Sequence, residues 1–383
     1  MVFAGSKVRL VGACLALSCF FALEGFIVRP NRIAAGEGIT LLEALPPAWL
    51  ASLLAIWLWL AFAAWRGRGS TLWAEYAAAL GSLPVLLWAV GLSGSSLLAA
   101  RGEFARVSLG GGAWLLLFAL FILLSDLLRR LERFPLGKYG ALCAALLLSG
   151  IIVAGGRLND LSLFVELLQR KDRFLQEAGN HLWITFVSVL MSTLAGIPLG
   201  LAVFRLPRLR SKAFFVLNIV QTIPSLALFG LLIAPLALLV QAFPVLESLG
   251  VQGIGWTPAV IALTLYGLLP IVRNTHAGFA GVEPAVAEAG RGIGMSRGQL
   301  LFFVEVPLAL PVILNGLRTA CVQNIGNTAV AALIGAGGFG VFIFQGLGQA
   351  ALDLIMLGAV PTILLAVAVD SIWQGGILWL SPR

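Results

Sequence analysis

Apolar runs long enough to cross a bilayer recur from one end of the chain to the other, each closed by short clusters of Arg, Lys, Gly or Pro. A bilayer-crossing helix needs about 20 such residues. In lipid every backbone polar group must pair within the protein, so runs of this kind form helices. The weakly alternating pattern of a membrane β-barrel is absent. The pattern predicts about ten spans. They lie near 9–28, 47–65, 74–94, 112–128 and 139–156 in the first half, and near 181–204, 213–239, 256–278, 305–333 and 351–378 in the second. The fold class is therefore an all-α integral membrane protein.

The runs are broken most clearly at 157–180. Leu161, Phe164, Val165, Leu168 and Leu175 fall near one helical face there, among Asp160, Glu166, Arg170, Lys171, Asp172, Arg173 and Glu177. This reads as an amphipathic helix on the outer membrane surface leading into the sixth span, or as a solvated linker helix. It separates an N-terminal membrane domain, 1–156, from a C-terminal one, 181–383, and no internal repeat links them. The first domain is rich in Trp, several near span ends as interface anchors. Only Glu24 and Asp126 place acidic groups in or beside its spans. It reads as an accessory domain with a packing or regulatory role.

Composition agrees: 60% of residues are hydrophobic and 11% charged, against about a quarter charged in soluble domains. The net charge of +8 does not point to nucleic acid, because Lys and Arg sit in short loops between apolar runs. They mark topology. A cytoplasmic N-terminus puts sixteen of them on inner loops and eight on outer ones, with Arg318 left in a span, the sign of the positive-inside rule. Lys7 and Arg9 before an apolar run look like the start of a signal peptide, but too few apolar residues separate Arg9 from Cys14 for its hydrophobic region. A retained span is expected. Cys14, Cys19, Cys143 and Cys321 lie in apolar runs without metal-type spacing and read as small hydrophobes. With only His181 and His276, a histidine-based metal or catalytic centre is not expected; both read as interfacial polar residues.

Polarity inside the second domain is patterned. Asn218, Gln221, Thr222 and Ser225 stand at i, i+3, i+4 and i+7 of the seventh span, a narrow polar face. Pro224 frees a backbone carbonyl there. In the ninth span Asn315, Thr319, Gln323 and Asn327 form an i, i+4 ladder, with Arg318 beside it. Such faces turn toward other helices or a watery path, so they line a translocation pathway or glue helices together. Arg318 must find acceptors, and with no acidic residue nearby in its span, backbone carbonyls or Asn and Gln side chains are the expected partners. Gly335-Ala336-Gly337-Gly338-Phe339-Gly340 matches G-x-G-x-x-G but lacks a βαβ setting, and reads as a flexible outer turn.

The longest polar-leaning interruption of the second half is Glu283 to Pro311. A short helix is expected to begin near Glu283-Pro284, with acid and proline in its first turn. Ala287, Ala289, Gly290 and Gly294 carry little bulk and let a partner approach. Pro307 and Pro311 suit the first turn of the next span. Glu288-Ala289-Gly290, Gly294, then Val304-x-Val306-Pro307 follow the spacing of the cytoplasmic loop of permease subunits in binding-protein-dependent ABC importers, which this segment resembles. Gln221–Leu228, Tyr266–Thr275 and Ala331–Gly338 resemble the branch of that family that takes up glycine betaine, choline, carnitine and related osmoprotectants. The likeness covers roughly 178–378. Two departures stand out: Gly290 where alanine is commoner, and Asn327 where a smaller residue or threonine is expected.

The resemblance implies a C-terminal five-helix ABC permease core like that of methionine importers, with a cytoplasmic coupling loop at 279–304. It implies contact of Glu288, Ala289, Gly290, Gly294 and Pro307 with an ATPase subunit, the Glu288–Gly298 helix transmitting its motion. A second permease, identical or related, and a periplasmic or lipid-anchored solute-binding protein complete the assembly. The location implied is the bacterial inner membrane, with both termini cytoplasmic. The chain has no G-x4-G-K-(S/T) loop, so ATP and Mg belong to the partner, and no cofactor is expected here. A permease for another small solute, such as an amino acid, is the alternative. An ion-coupled secondary transporter would need intramembrane acids in two repeats, whereas Asp353 and Asp370 lie near the ends of one span. A membrane enzyme would need a His, Asp or Cys cluster at one depth, which the sequence does not offer.

Overall fold

The computed structural model describes residues 2–31, 35–67, 69–102, 105–131, 135–248 and 250–380. Arg32, Arg68, Arg133 and Arg383, counted above among the loop charges, lie outside them. The chain divides into two compact units, Met1–Gln169 and Arg170–Arg383.

In the first unit, α1 (Val2–Phe21) ends early and β1 (Glu24–Arg29) follows. The first span was expected to run on to residue 28. Instead the β-branched Ile27 and Val28 enter a sheet, as such residues favour. β2 (Glu37–Thr40), α2 (Leu41–Ala44), α3 (Pro47–Arg66), α4 (Leu72–Arg101), β3 (Arg106–Leu109), α5 (Gly111–Arg130), α6 (Pro135–Ala154) and α7 (Ser162–Gln169) complete the unit. The strands form a small antiparallel sheet in the order β2-β1-β3, with Phe26 opposite Leu109 and Val28 opposite Val107. Among the described residues the predominantly helical fold thus carries one sheet that no alternation in the sequence had announced. Its helices close on Phe20, Leu53, Trp57, Leu60, Tyr76, Leu116 and Leu123. Trp57, in the middle of its span, is a core residue.

The unit also buries charge that the sequence reading passed over. Glu75, at the start of α4, is fully buried and paired with Arg9 of α1. Thr71 donates to its other oxygen at 2.7 Å. Asp126 lies 3.7 Å from Arg9 Nε and takes the Arg130 guanidinium at 2.6 Å.

The second unit begins at Arg170. Instead of one amphipathic helix over 157–180, the structure has α7, a break at Arg170, and then α8 (Lys171–Arg205), which carries the expected surface turns straight into the span. α9 (Pro207–Thr222), α10 (Ser225–Ala242), α11 (Val245–Ser248), α12 (Trp256–Ala280), α13 (Pro284–Gly292), α14 (Arg297–Leu300), α15 (Val306–Ala331), α16 (Gly340–Gly348) and α17 (Leu352–Leu380) follow. Among the described residues nine helices are long and apolar enough to cross a membrane, four of them in the first unit and five in the second.

The expected seventh span is two helices. Ile223 adopts an extended conformation, ψ 126°, before Pro224. A residue before proline is pushed out of the α region, and proline offers no N–H to continue the ladder. α12 lies between α8 and α15, and close approach depends on small residues. A Cβ on Gly316 would stand 2.8 Å from the Pro270 carbonyl. A polar seam runs between the three helices: Asn324 Nδ2 donates to Ser188 Oγ at 3.0 Å and to the Leu263 carbonyl at 3.1 Å. Thr185 and Thr328 are 3.0 Å apart, and Ser192 donates to the Thr264 carbonyl at 2.9 Å.

Candidate functional site

The break at Pro224 reorders the first group of pathway residues. Asn218, Gln221 and Thr222 stay on α9, while Ser225 opens α10, so the four do not share one helical face. Pro270 of α12 lacks the N–H that would satisfy the Tyr266 carbonyl four residues earlier. Gln221 Nε2 donates to that carbonyl at 2.6 Å. The Tyr266 hydroxyl in turn donates to the Ile223 carbonyl at the break. Gln323 Nε2 of α15 donates to Gln221 Oε1 at 3.2 Å. Two residues singled out from different spans thus meet, around a tyrosine that sequence reasoning had not singled out for its side chain.

The others do not join them. Asn218 accepts from Arg273 Nη2 at 3.4 Å. Thr222 donates to the Ile219 carbonyl at 2.7 Å, in its own helix. Asn315 donates to the Pro311 carbonyl at 3.1 Å and Thr319 to the Asn315 carbonyl at 2.9 Å, both within α15. Asn327 is half-buried. The fully buried polar face of α15 is the neighbouring one, Asn324 and Thr328, and the Asn324 Oδ1 atom is buried without a partner among the described residues.

Arg318 does not rely on carbonyls or amides. Its Nε donates to Asp370 Oδ1 at 2.6 Å and its Nη2 to Oδ2 at 2.7 Å. Asp370 lies well inside α17, not at a span end. The pairing joins residues far apart in sequence, and no local spacing signals it.

The segment between α12 and α15 is built by local rules. Glu283 precedes α13 in an extended conformation and Pro284 takes its first position, where a missing N–H costs nothing. The helix ends at Gly292 in a Schellman turn: Met295 N–H donates to the Gly290 carbonyl at 3.1 Å and Gly294 N–H to the Arg291 carbonyl at 3.0 Å. Gly294 has φ 89°, the left-handed region glycine enters freely. The expected helix Glu288–Gly298 is therefore two pieces. Ser296 caps the second in a reciprocal pair with Gln299.

Gly290 does not present itself to a partner. A Cβ there would meet Leu300 Cδ1 at 2.8 Å, so it packs inward, while Glu288, Ala289 and Gly294 are exposed and Ile293 is 77% exposed. Leu301–Glu305 form a π-helical turn leading into α15, with Pro307 in its first turn. The wider turn accommodates the proline ring. Pro311 lies inside α15 rather than in its first turn. The buried Glu305 pairs with Arg205 at the end of α8 and anchors this base.

At the other end of α15, Gly335, Gly337 and Gly338 all have φ of 80–88°. The turn is held in place. Gly338 N–H donates to Glu177 Oε2 at 2.7 Å, and Phe339 N–H to His181 Nδ1 at 3.3 Å. That leaves His181 Nε2 to donate to the Ile325 carbonyl at 3.1 Å. His181 is fully buried, not interfacial. The signal missed in the sequence was two polar groups one helical turn apart on α8.

Comparison with known proteins gives two family matches. Residues 6–164 match the N-terminal domain of the ABC transporter permease YehY. Residues 192–383 match the binding-protein-dependent transport system inner membrane component. The osmoprotectant import permease protein OsmW of Salmonella typhimurium is 44% identical over 204 residues, 53% of this chain and 90% of that protein. The glycine betaine/carnitine/choline transport system permease protein OpuCB of Bacillus subtilis is 38% identical over 196 residues, 51% and 83% respectively. A structure of the MetNI methionine ABC transporter in an inward-facing conformation aligns with a TM-score of 0.49 at 20% identity, over 56% of this chain and 99% of that one.

Proposed function

This chain belongs to the binding-protein-dependent transport system inner membrane component family, and on that premise we propose that it imports a small zwitterionic or quaternary-ammonium osmoprotectant of the glycine betaine type. It is a permease subunit of an ABC importer, and ATP is hydrolysed by a separate subunit. The solute class follows the relatives named for osmoprotectants, glycine betaine, carnitine and choline. The assembly holds two ATPase subunits carrying ATP and Mg, a second permease, and a solute-binding protein outside a bacterial inner membrane. With α1 counted as a tenth crossing, both termini and the segment 279–304 lie on the cytoplasmic side.

Glu288, Ala289, Gly294 and Pro307 serve the ATPase contact, joined by the exposed Ile293, while Gly290 shapes the segment from within. The observation that carries this reading is the capped, solvent-facing segment at 284–300, tied through Glu305 and Arg205 to the bases of α8 and α15. Motion imposed on it reaches both helices. ATP shifts the balance between conformations only by favouring one of them. Asn218, Gln221, Thr222, Ser225, Asn315, Arg318, Thr319, Gln323 and Asn327 border the pathway, and the first unit is accessory. The test is uptake of labelled glycine betaine into vesicles holding the complete complex. Uptake that requires ATP on the cytoplasmic side supports the reading, and uptake driven by an ion gradient without ATP refutes it.

A further inference from the structure

The Arg318–Asp370 pair sits inside two apolar helices, yet it is not closed off. The two side chains are 27% and 38% exposed. Among the described residues neither has another hydrogen-bond partner. A guanidinium carries five donors and a carboxylate about four acceptor sites, so each keeps capacity on its open side. Charge turned toward lipid is costly, so that side meets water or a polar occupant. A pair that served only as a strut gains little over apolar residues of the same volume.

The surroundings narrow the occupant. Leu317 and Val369, which precede the two charged residues, line a cleft of about 450 Å³ between α8, α15 and α17. Trp373, three residues beyond Asp370, lines it too and is half-buried. Asp370 and Trp373 stand at i and i+3 on α17, positions that neighbour each other on a helix. An aromatic ring near a carboxylate suits a quaternary ammonium, and a guanidinium fork suits a carboxylate.

We propose that Arg318 and Asp370 form a binding site for the two charges of a zwitterionic solute, which the pair accepts by parting and re-pairing with it. Arg318 takes the solute carboxylate and Asp370, with Trp373, its ammonium group. Net charge in the span is zero before and after, so the exchange adds no unpaired charge to a low-dielectric site. A solute carrying only a cation would leave Arg318 unpaired. The site therefore prefers zwitterions, and this rests on the osmoprotectant reading above.

The test measures uptake of glycine betaine and of choline by the full complex in cells, with membrane amounts checked by immunoblot. Arg318→Gln should lower glycine betaine uptake about tenfold or more relative to choline, because only the carboxylate partner is lost. The double variant Arg318→Leu with Asp370→Leu removes both charges, keeps the volume, and should abolish glycine betaine uptake while reaching the membrane normally. Wild-type glycine betaine uptake in the double variant, or an equal fall for both solutes in Arg318→Gln, overturns the site and leaves a strut. A wild type that moves neither solute overturns the solute reading instead, and this inference with it.

Discussion

Gln221 and Tyr266 are joined twice over: the glutamine amide fills the carbonyl that Pro270 leaves empty, at 2.6 Å, and the tyrosine hydroxyl holds the backbone just past the glutamine. Two prolines, one in α12 and one after α9, each disable a stretch of helical ladder. The exposed polar groups repair one another across the gap. A helix break in a membrane protein survives only where such partners exist.

Gln221→Leu leaves the Tyr266 carbonyl without a donor and Gln323 without its acceptor. An unsatisfied buried group costs about 1–3 kcal/mol, so thermal unfolding of the detergent-purified complex should come at a lower temperature. Gln221→Glu, which keeps an acceptor for Gln323 but no donor for the carbonyl, should lose nearly as much. A melting temperature unchanged in both variants would show that the repair is incidental.

The two glycines at 294 and 298 should respond oppositely to alanine. Gly294→Ala forces a Cβ into φ 89° and should loosen the turn, at a cost of about 1 kcal/mol or more. Gly298 lies in α14 with open space around it, where alanine should be neutral or slightly stabilising. Limited proteolysis of the 284–300 segment reads the difference directly: faster cleavage for the first variant, not the second.

In the first unit, Arg9 and Glu75 are both buried. Removing one strands the other, at a cost of about 3–5 kcal/mol, whereas replacing both with apolar residues is often close to neutral. Arg9→Leu should therefore reduce the amount of protein in membranes sharply, and Arg9→Leu with Glu75→Leu should restore much of it, since Asp126 keeps Arg130 as its partner. No recovery in the double variant would mean that the charges do more than compensate each other.

Apolar run length was enough to place most of the helices, because a bilayer fixes how long a span must be. Local chemistry was equally legible: Pro284 begins α13 and the glycine-rich stretch at 335–340 makes a turn. What escaped was decided between helices. The pairing of Arg318 with Asp370, and of Glu177 with Gly338, depends on which faces meet, and no local spacing encodes that. Gly290 illustrates the same limit. Its smallness reads equally well as room for a partner or as room for Leu300, and only the packing shows the second. The sheet of 24–29, 37–40 and 106–109 was hidden because short β-branched strands beside membrane helices look like more of the same apolar run.

In the proposed mechanism a motor on a separate subunit grips the segment at 284–300. The most direct measurement is crosslinking from a cysteine at position 289 in membranes containing the intact complex, with the captured subunit identified by mass and assayed for ATP hydrolysis. The expected result is capture of the ATPase subunit, altered by ATP, with no labelling of Ala289→Cys by reagents confined to the outside. Labelling from outside, or an intact and active complex in which this cysteine never reaches the ATPase, would contradict it.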